Sequence, residues 1–231
     1  MASSVGLRWI AQPHDLLVLR DPRLLLYPTM SPPPWIFLAL KRAPLVVVRR
    51  APAIGDLLPV GIRGQNRSER CAAYLPVTAR GIERIVPEQL VATQAWTRSH
   101  RLRQIGAIQA LAEIAPWLQA SGLCWGPTGS VGFELASGVP TATTSSDLDL
   151  LVRAPQPLSW ETAEALLTHL ARAPVRIDVQ TETPSGAIAL AGYVQRGPDG
   201  QTTILLRTTD GPRLVCNPWK SVSSERCTGG Q

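Results

Sequence analysis

The stretch Ser146-Asp147-Leu148-Asp149-Leu150-Leu151 places two acidic residues within an apolar run. Side chains alternate between the two faces of an extended strand, so Asp147 and Asp149 would share one face while the leucines enter the core. Two carboxylates on one face repel each other unless a cation lies between them. Mg²⁺ takes carboxylate oxygens together with phosphate oxygens, so the stretch predicts a buried strand with a metal-binding face. An ordinary solvated strand end has the same pattern, and further residues are needed to decide.

A glycine-rich turn, residues 126–130, precedes this stretch. Gly129 would let the backbone approach a ligand closely, and Ser130 can begin a helix whose free N–H groups favour phosphate. The turn is not a P-loop, because no lysine follows the glycines, and its glycine spacing differs from that of dinucleotide-binding turns. An ordinary helix cap is the alternative.

A third acidic residue, Asp178, lies within a predicted strand at 175–181. A carboxylate inside a run of β-branched residues is poorly suited to a core strand unless it has a partner. Beside Asp147 and Asp149 it would complete a cluster of three carboxylates able to hold two metal ions. The alternative is a strand residue that faces solvent.

The pattern of apolar residues divides the chain into two parts and a tail. In the front part, short apolar runs bounded by proline predict strands at 15–20, 45–48 and 56–62. In the back part, three- and four-residue spacing predicts a helix over 101–120, and Ser159 can cap another that runs to 172. We therefore predict an α/β (α+β) protein with three segments: a small strand-rich N-terminal domain at 1–85, an α/β catalytic domain at 86–220 and a flexible tail at 221–231. Further strands are predicted at 123–125, 148–152, 175–181, 188–195 and 202–206.

Charge is distributed unevenly along the 231 residues. The sequence has 23 basic and 17 acidic side chains, and 21 of the basic ones are arginine. Residues 1–103 contain 15 basic and 6 acidic residues, whereas 104–231 contain 8 and 11. The arginine fork suits bidentate contact with phosphate, so the front half could bind a polyphosphate or an acidic protein. A solvated basic surface is the alternative for the arginines concerned, which are Arg49, Arg50, Arg63, Arg67 and Arg70.

Composition excludes several classes of protein. No stretch offers the roughly 20 apolar residues of a membrane helix. The four cysteines and three histidines are scattered, which argues against a zinc site and a disulfide framework and fits a reducing compartment. The N-terminus lacks the features of an export signal, so we expect a cytoplasmic protein.

The order Gly129-Ser130, Asp147-x-Asp149 and a later Asp178 resembles the nucleotidyltransferase superfamily. Motifs spread over about 8–220 resemble, in combination, the malonate decarboxylase holo-acyl-carrier-protein synthases, which are phosphoribosyl-dephospho-CoA transferases. These motifs are Pro13-His14-Asp15-Leu16-Leu17, Val48-Arg49-Arg50-Ala51, Gly61-Ile62-Arg63-Gly64-x-x-Arg67-x-x-Arg70, Gly126-Pro127-Thr128-Gly129-Ser130-Val131-Gly132-Phe133-Glu134 and Asn217-Pro218-Trp219.

The resemblance implies a reaction and a set of roles. A serine of an apo acyl carrier protein would attack the α-phosphate of 2′-(5″-triphosphoribosyl)-3′-dephospho-CoA, and pyrophosphate would leave. Asp147, Asp149 and Asp178 would bind two Mg²⁺, with Asp178 also a possible base. Gly129 and Ser130 would hold the triphosphate. The substrate or the carrier protein would meet His14, Arg49, Arg50, Arg63, Arg67 and Arg70.

Two other functions fit part of the sequence. A different nucleotidyltransferase, acting on a protein, an RNA or a small alcohol, would share the carboxylate cluster but not the N-terminal motifs. A basic RNA-binding or scaffold module would use its carboxylates only structurally. Aromatic residues make up only 5% of the chain and no RNA-binding motif is present, so nucleic acid is an unlikely partner.

Overall fold

The computed structural model describes residues 11–29, 31–66, 68–198 and 202–220. The front part forms a five-stranded antiparallel sheet with strand order β4-β3-β2-β1-β5. Helix α1 (Trp35–Arg42) buries Ile36 and Leu40 against one face of this sheet, where alternate strand residues such as Leu17 and Val46 are fully buried. The strands are β1 (Leu16–Leu19), β2 (Leu45–Val48), β3 (Leu57–Arg63), β4 (Arg70–Pro76) and β5 (Ile82–Ile85).

The back part forms a second sheet of six strands in the order β11-β10-β9-β8-β7-β6. Strands β7 and β8 pair in parallel, and the other neighbours are antiparallel. The strands are β6 (Cys124–Pro127), β7 (Leu148–Arg153), β8 (Ile177–Thr183), β9 (Gly186–Ala189), β10 (Ile204–Thr208) and β11 (Gly211–Val215). The helices are α2 (Pro87–Ala92), α3 (Gly106–Ala120), α4 (Gly129–Ser137), α5 (Trp160–Leu170) and α6 (Leu190–Gln195).

The second sheet has one apolar and one polar face. Leu148 and Leu150 of β7 are buried with residues of α3 and α5 in the larger core, as the alternation predicts. The opposite face carries Asp149, together with Asp178 on the neighbouring strand. The predicted combination of a strand-rich N-terminal domain with an α/β C-terminal domain is confirmed.

Most predicted elements are present, and two need correction. The strand predicted at 188–195 is wrong beyond Ala189, because α6 begins at Leu190. An apolar run of this length does not distinguish a strand from a short helix by periodicity. The helix predicted from residue 101 begins only at Gly106, and the Arg101 side chain instead pairs with Glu134 of α4. Sequence reasoning did not identify α1, β4, β5 or β11.

Within the described ranges, no helix is long and apolar enough to cross a bilayer. Cys71 and Cys124 are free thiols, whereas Cys216 forms a disulfide that the cysteine spacing did not predict. The tail at 221–231 lies outside the described residues.

Candidate active site

A cleft of about 1260 Å³ separates the N-terminal sheet from the polar face of the second sheet. The N-terminal half contributes His14 and four of the five predicted arginines to its lining, and the C-terminal half contributes Gly129, Asp149 and Asp178. Basic and acidic residues that are far apart in the sequence therefore face one cavity. The arginines are Arg49, Arg50, Arg63 and Arg70; Arg67 lies outside the described residues.

Asp149 is the central carboxylate of the cleft. It lies on β7, and its Cα pairs in register with that of Asp178 on β8. Asp147 lies directly before the strand and is half-buried. Burial raises the pKa of Asp149 above its ordinary value, the charges of Asp178 and Asp147 raise it further, and those of Arg63 and Arg70 lower it. The site thus concentrates negative charge that a cation would stabilise.

Gly129 brings the backbone against this carboxylate. It is the first residue of α4 and has a φ of +59°. A Cβ at this position would lie 1.9 Å from Asp149 Oδ2, so no other residue fits without moving the carboxylate. The Thr128 N–H donates to the Asp149 carbonyl oxygen at 2.8 Å, which fixes the turn to β7. Ser130 is buried and lies outside the cleft lining, unlike Gly129.

Asp178 is engaged by a residue that the sequence did not single out. Its Oδ1 accepts hydrogen bonds from Nε and Nη2 of Arg176, at 3.0 and 2.9 Å, and its side chain is 48% exposed. Among the described residues, no three Asp, Glu, His or Cys side chains are grouped closely enough to hold a metal ion. Mg²⁺ commonly needs only one or two carboxylates when substrate phosphates complete its shell. The adjacent Asp149 and Asp178 fit that requirement, and the larger ligand set stays a prediction.

The arginines approach from the opposite wall. Arg63 and Arg70 are Cα partners across β3 and β4 and line the cleft together. Their charges reach Asp149, since both lower its pKa. Arg50 has a different environment, because it forms an ion pair with Glu182 at the end of β8. Arg63 and Arg70 are therefore the pair best placed for phosphate.

His14 contacts the polar face of β8. Its backbone is left-handed, with a φ of +74°, and its Nε2 lies 2.6 Å from Nε2 of Gln180 and 3.8 Å from Oε1 of Glu182. Burial lowers the pKa of His14; Glu182 opposes this shift, and the charges of Arg50, Arg153 and Arg207 add to it. The His14 side chain thus joins the two sheets inside the cleft.

Two arginines of the cleft were not predicted from the sequence. Strand alternation places Gln180 and Glu182 on the face of Asp178, and in the structure both lie near His14. Nothing in the sequence set Arg176 or Arg207 apart from other arginines. Glu134 of α4 is buried and structural, because it accepts hydrogen bonds from Arg101 and from the backbone N–H groups of 141 and 142.

Comparisons with known proteins match both halves of the chain. A family model described as the N-terminal domain of phosphoribosyl-dephospho-CoA transferase MdcG matches residues 12–87, and the model of the C-terminal domain matches 91–218. No solved structure matches the chain.

Curated relatives match at similar length. A phosphoribosyl-dephospho-CoA transferase of Pseudomonas putida (strain GB-1) is 43% identical over 216 residues, covering 90% of this chain and 95% of the relative. The protein of that name from Azotobacter vinelandii is 40% identical over 222 residues, covering 94% and 98%. The one from Klebsiella pneumoniae (strain 342) is 39% identical over 210 residues, covering 90% and 96%.

Proposed function

Because the chain belongs to the phosphoribosyl-dephospho-CoA transferase family, we propose that it modifies the acyl carrier protein of malonate decarboxylase. It transfers the prosthetic group from 2′-(5″-triphosphoribosyl)-3′-dephospho-CoA to a serine of the apo protein and releases pyrophosphate. The observation that carries this proposal is the cleft itself, where Asp149 and Asp178 face Arg63 and Arg70. A polyphosphate needs both signs of charge: cations for its oxygens and carboxylates for the metal that accompanies it.

The carboxylates would hold Mg²⁺, in one or two ions. Asp149 and Asp178 are neighbours on a parallel strand pair, and Asp147 lies two residues before Asp149. When bound, Mg²⁺ would neutralise charge on the reacting phosphate and on the departing pyrophosphate. The raised pKa of Asp149 supports this assignment, since a cation relieves the repulsion that contributes to it.

The remaining residues position the reactants. Arg63 and Arg70 bind the triphosphate. The backbone at Gly129 lies against the Asp149 carboxylate and fixes its position. Arg176 first releases the Asp178 carboxylate. Asp178 then takes the proton of the serine hydroxyl. The serine Oγ–Pα bond then forms, the bond from Pα to the β-phosphate oxygen breaks, and the proton passes to solvent. The proposed location is the cytoplasm.

Transfer to the carrier protein can be measured directly. The protein is mixed with apo acyl carrier protein, the triphosphoribosyl substrate and Mg²⁺, and the carrier is weighed by mass spectrometry while pyrophosphate is assayed. We expect a mass gain equal to the phosphoribosyl-dephospho-CoA group and one pyrophosphate per modified carrier. A folded protein that yields neither product contradicts the proposal.

The variant Asp149→Asn tests the carboxylate site. It keeps the shape of the side chain but removes the charge, so we expect transfer to fall by at least about 100-fold. Thermal unfolding should occur at an equal or higher temperature, because a buried and repelled charge is removed. Asp210→Asn, in the exposed turn between β10 and β11, is the matched control and should retain activity. Full activity in Asp149→Asn would mean that the metal site lies elsewhere.

A further inference from the structure

The cleft continues past the carboxylates, over the outer strands of the second sheet. Over β9 to β11 the lining side chains are small or apolar, apart from one arginine and one threonine. We call this region the distal arm and define it by Ala189, Leu205, Arg207, Thr208, Gly211 and Pro212. An apolar surface of this kind does not suit a triphosphate and its metal, because placing charged groups against apolar side chains costs free energy. The distal arm therefore suits a different part of a ligand.

Alternation along β10 directs two side chains into the distal arm. Ile204 and Leu206 are buried in the core, so Leu205 and Arg207 lie on the opposite face. Leu205 is 46% exposed, and its Cα partner on β11, Leu214, is 67% exposed. A strand pair that leaves two leucines open to solvent beside a cleft provides an apolar surface for a bound molecule.

Arg207 is the cationic side chain of the distal arm. Its Cα pairs with that of Ala187 on β9, which in turn pairs with that of Glu182 on β8. Its charge is among those that lower the pKa of His14, so the guanidinium lies near that side of the cleft. The cleft thus has cationic residues on both walls, and Arg207 is the one that lies in the distal arm. The N-terminal half contributes Arg49, Arg50, Arg63 and Arg70, and the C-terminal half contributes Arg176 and Arg207.

We propose that the distal arm binds the pantetheine arm of the dephospho-CoA moiety, with Arg207 contacting the 5′-diphosphate. This inference rests on the proposed function. The substrate has two anionic segments, a triphosphate and a diphosphate, on opposite sides of one adenosine, and a long arm of methylene and amide groups extends from the diphosphate. Arg63 and Arg70 opposite Asp149, and Arg207 beside the apolar surface of the distal arm, match that order of groups. Arginine also suits the diphosphate through bidentate contact.

Binding of dephospho-CoA itself tests the assignment, because this molecule lacks the triphosphoribosyl group and does not react. Isothermal titration calorimetry would compare dephospho-CoA with ADP, which lacks the pantetheine arm. We expect Arg207→Ala to weaken binding of both by about tenfold. We expect Leu205→Ser to weaken dephospho-CoA severalfold and to leave ADP unchanged. Arg213→Ala, on the neighbouring strand and outside the cleft lining, is the matched control and should bind like the wild type.

The outcomes separate this inference from the proposed function. If the wild type binds dephospho-CoA and transfers the group while Arg207→Ala and Leu205→Ser bind normally, the inference is wrong and the function stands. If Leu205→Ser instead raises only the KM for the carrier protein, the distal arm is a protein-docking surface and the inference is again wrong. A wild-type protein that neither binds dephospho-CoA nor modifies the carrier contradicts both. Far-ultraviolet circular dichroism and thermal unfolding establish that each variant is folded.

Discussion

His14 illustrates how burial decides the behaviour of a single residue in the cleft. Its imidazole is held between Gln180 and Glu182, and three arginine charges lie near enough to affect it. The pKa of His14 is lowered, with burial as the largest cause, so the folded protein keeps this ring neutral under conditions where a solvated histidine takes up a proton. Its φ of +74° is tolerated by few residues other than glycine, asparagine and aspartate.

The variant His14→Asn should change how stability depends on pH. Because the folded-state pKa lies below the ordinary 6.5, the unfolded chain binds the proton first, and wild-type stability falls as the pH decreases below about 6.5. Asparagine keeps the left-handed backbone but cannot titrate. Urea unfolding from pH 7.5 to 5.5 should therefore show a shallower loss of stability, by at most about 1.4 kcal/mol per pH unit.

The exposed His100→Asn variant is the control for this experiment, and it should keep the wild-type slope because that imidazole is solvated in both states. An unchanged slope in His14→Asn would show that other groups govern the acid sensitivity of the protein.

Two glycines bound helix α4, and only one of them contacts the candidate active site. The two have nearly the same backbone, Gly129 at the start of the helix with a φ of +59° and Gly138 after its end with a φ of +70°. Their surroundings differ. A Cβ on Gly138 would meet nothing within 4 Å, whereas a Cβ on Gly129 would collide with Asp149. Gly129 thus allows the backbone to lie against Asp149, whereas Gly138 only ends the helix.

Alanine variants at these two positions should separate the loss of stability caused by the left-handed backbone from the loss of activity caused by displacing Asp149. Gly138→Ala should lose roughly 1 kcal/mol of unfolding free energy, because it places a side chain in the left-handed region. Gly129→Ala should lose at least as much, because its Cβ also collides with Asp149. Only Gly129→Ala should also displace the Asp149 carboxylate, and we expect its kcat/KM to fall about 100-fold. Steady-state kinetics and urea unfolding measure the two effects. Equal activity in the two variants would mean that the close approach to Asp149 has no catalytic role.

At the scale of the whole molecule, a buried ion-pair network joins the two halves. Asp15 is fully buried at the start of β1 and accepts a hydrogen bond from Arg84 Nε, at 2.7 Å, within its own sheet. Its other oxygen lies 3.2 Å from Nη2 of Arg153, which belongs to β7 of the second sheet and also pairs with Glu88. Arg153 lies on the strand that carries Asp149. Its contact with Asp15 therefore fixes the position of the N-terminal sheet, which carries Arg63 and Arg70, relative to the carboxylates.

Arg84 and Arg153 provide a matched pair of variants, since both compensate Asp15 but only Arg153 crosses between the sheets. We expect Arg84→Ala and Arg153→Ala to lower the unfolding free energy by about 3 kcal/mol each, because both leave a buried carboxylate with one partner fewer. Arg153→Ala should in addition lower kcat/KM roughly 10- to 100-fold, since the two walls of the cleft lose their fixed separation. Denaturant unfolding with kinetics on the same samples provides the comparison. Equal catalytic loss in both variants would assign the effect to stability alone.

Much of the local structure could be predicted from the sequence. Pro87 begins α2, and Ser159 caps α5 by accepting a hydrogen bond from the Thr162 N–H at 3.1 Å. Both signals are local, because they depend on backbone groups at one end of a helix. The six-residue helix α6 was mistaken for a strand, because its apolar residues are too few for a period to be recognised and its position is set by core packing.

The sequence alone supplies the candidate site residues: carboxylates at 147, 149 and 178, a glycine turn, and an arginine-rich front half with motifs of a known family. Which of these residues meet depends on the tertiary structure. It aligned Asp149 with Asp178 through the parallel pairing of β7 and β8, turned Arg63 and Arg70 toward them, and added Arg176 and Arg207. The physical reason is that alternation along a strand specifies a face, whereas strand pairing and sheet packing specify what that face meets.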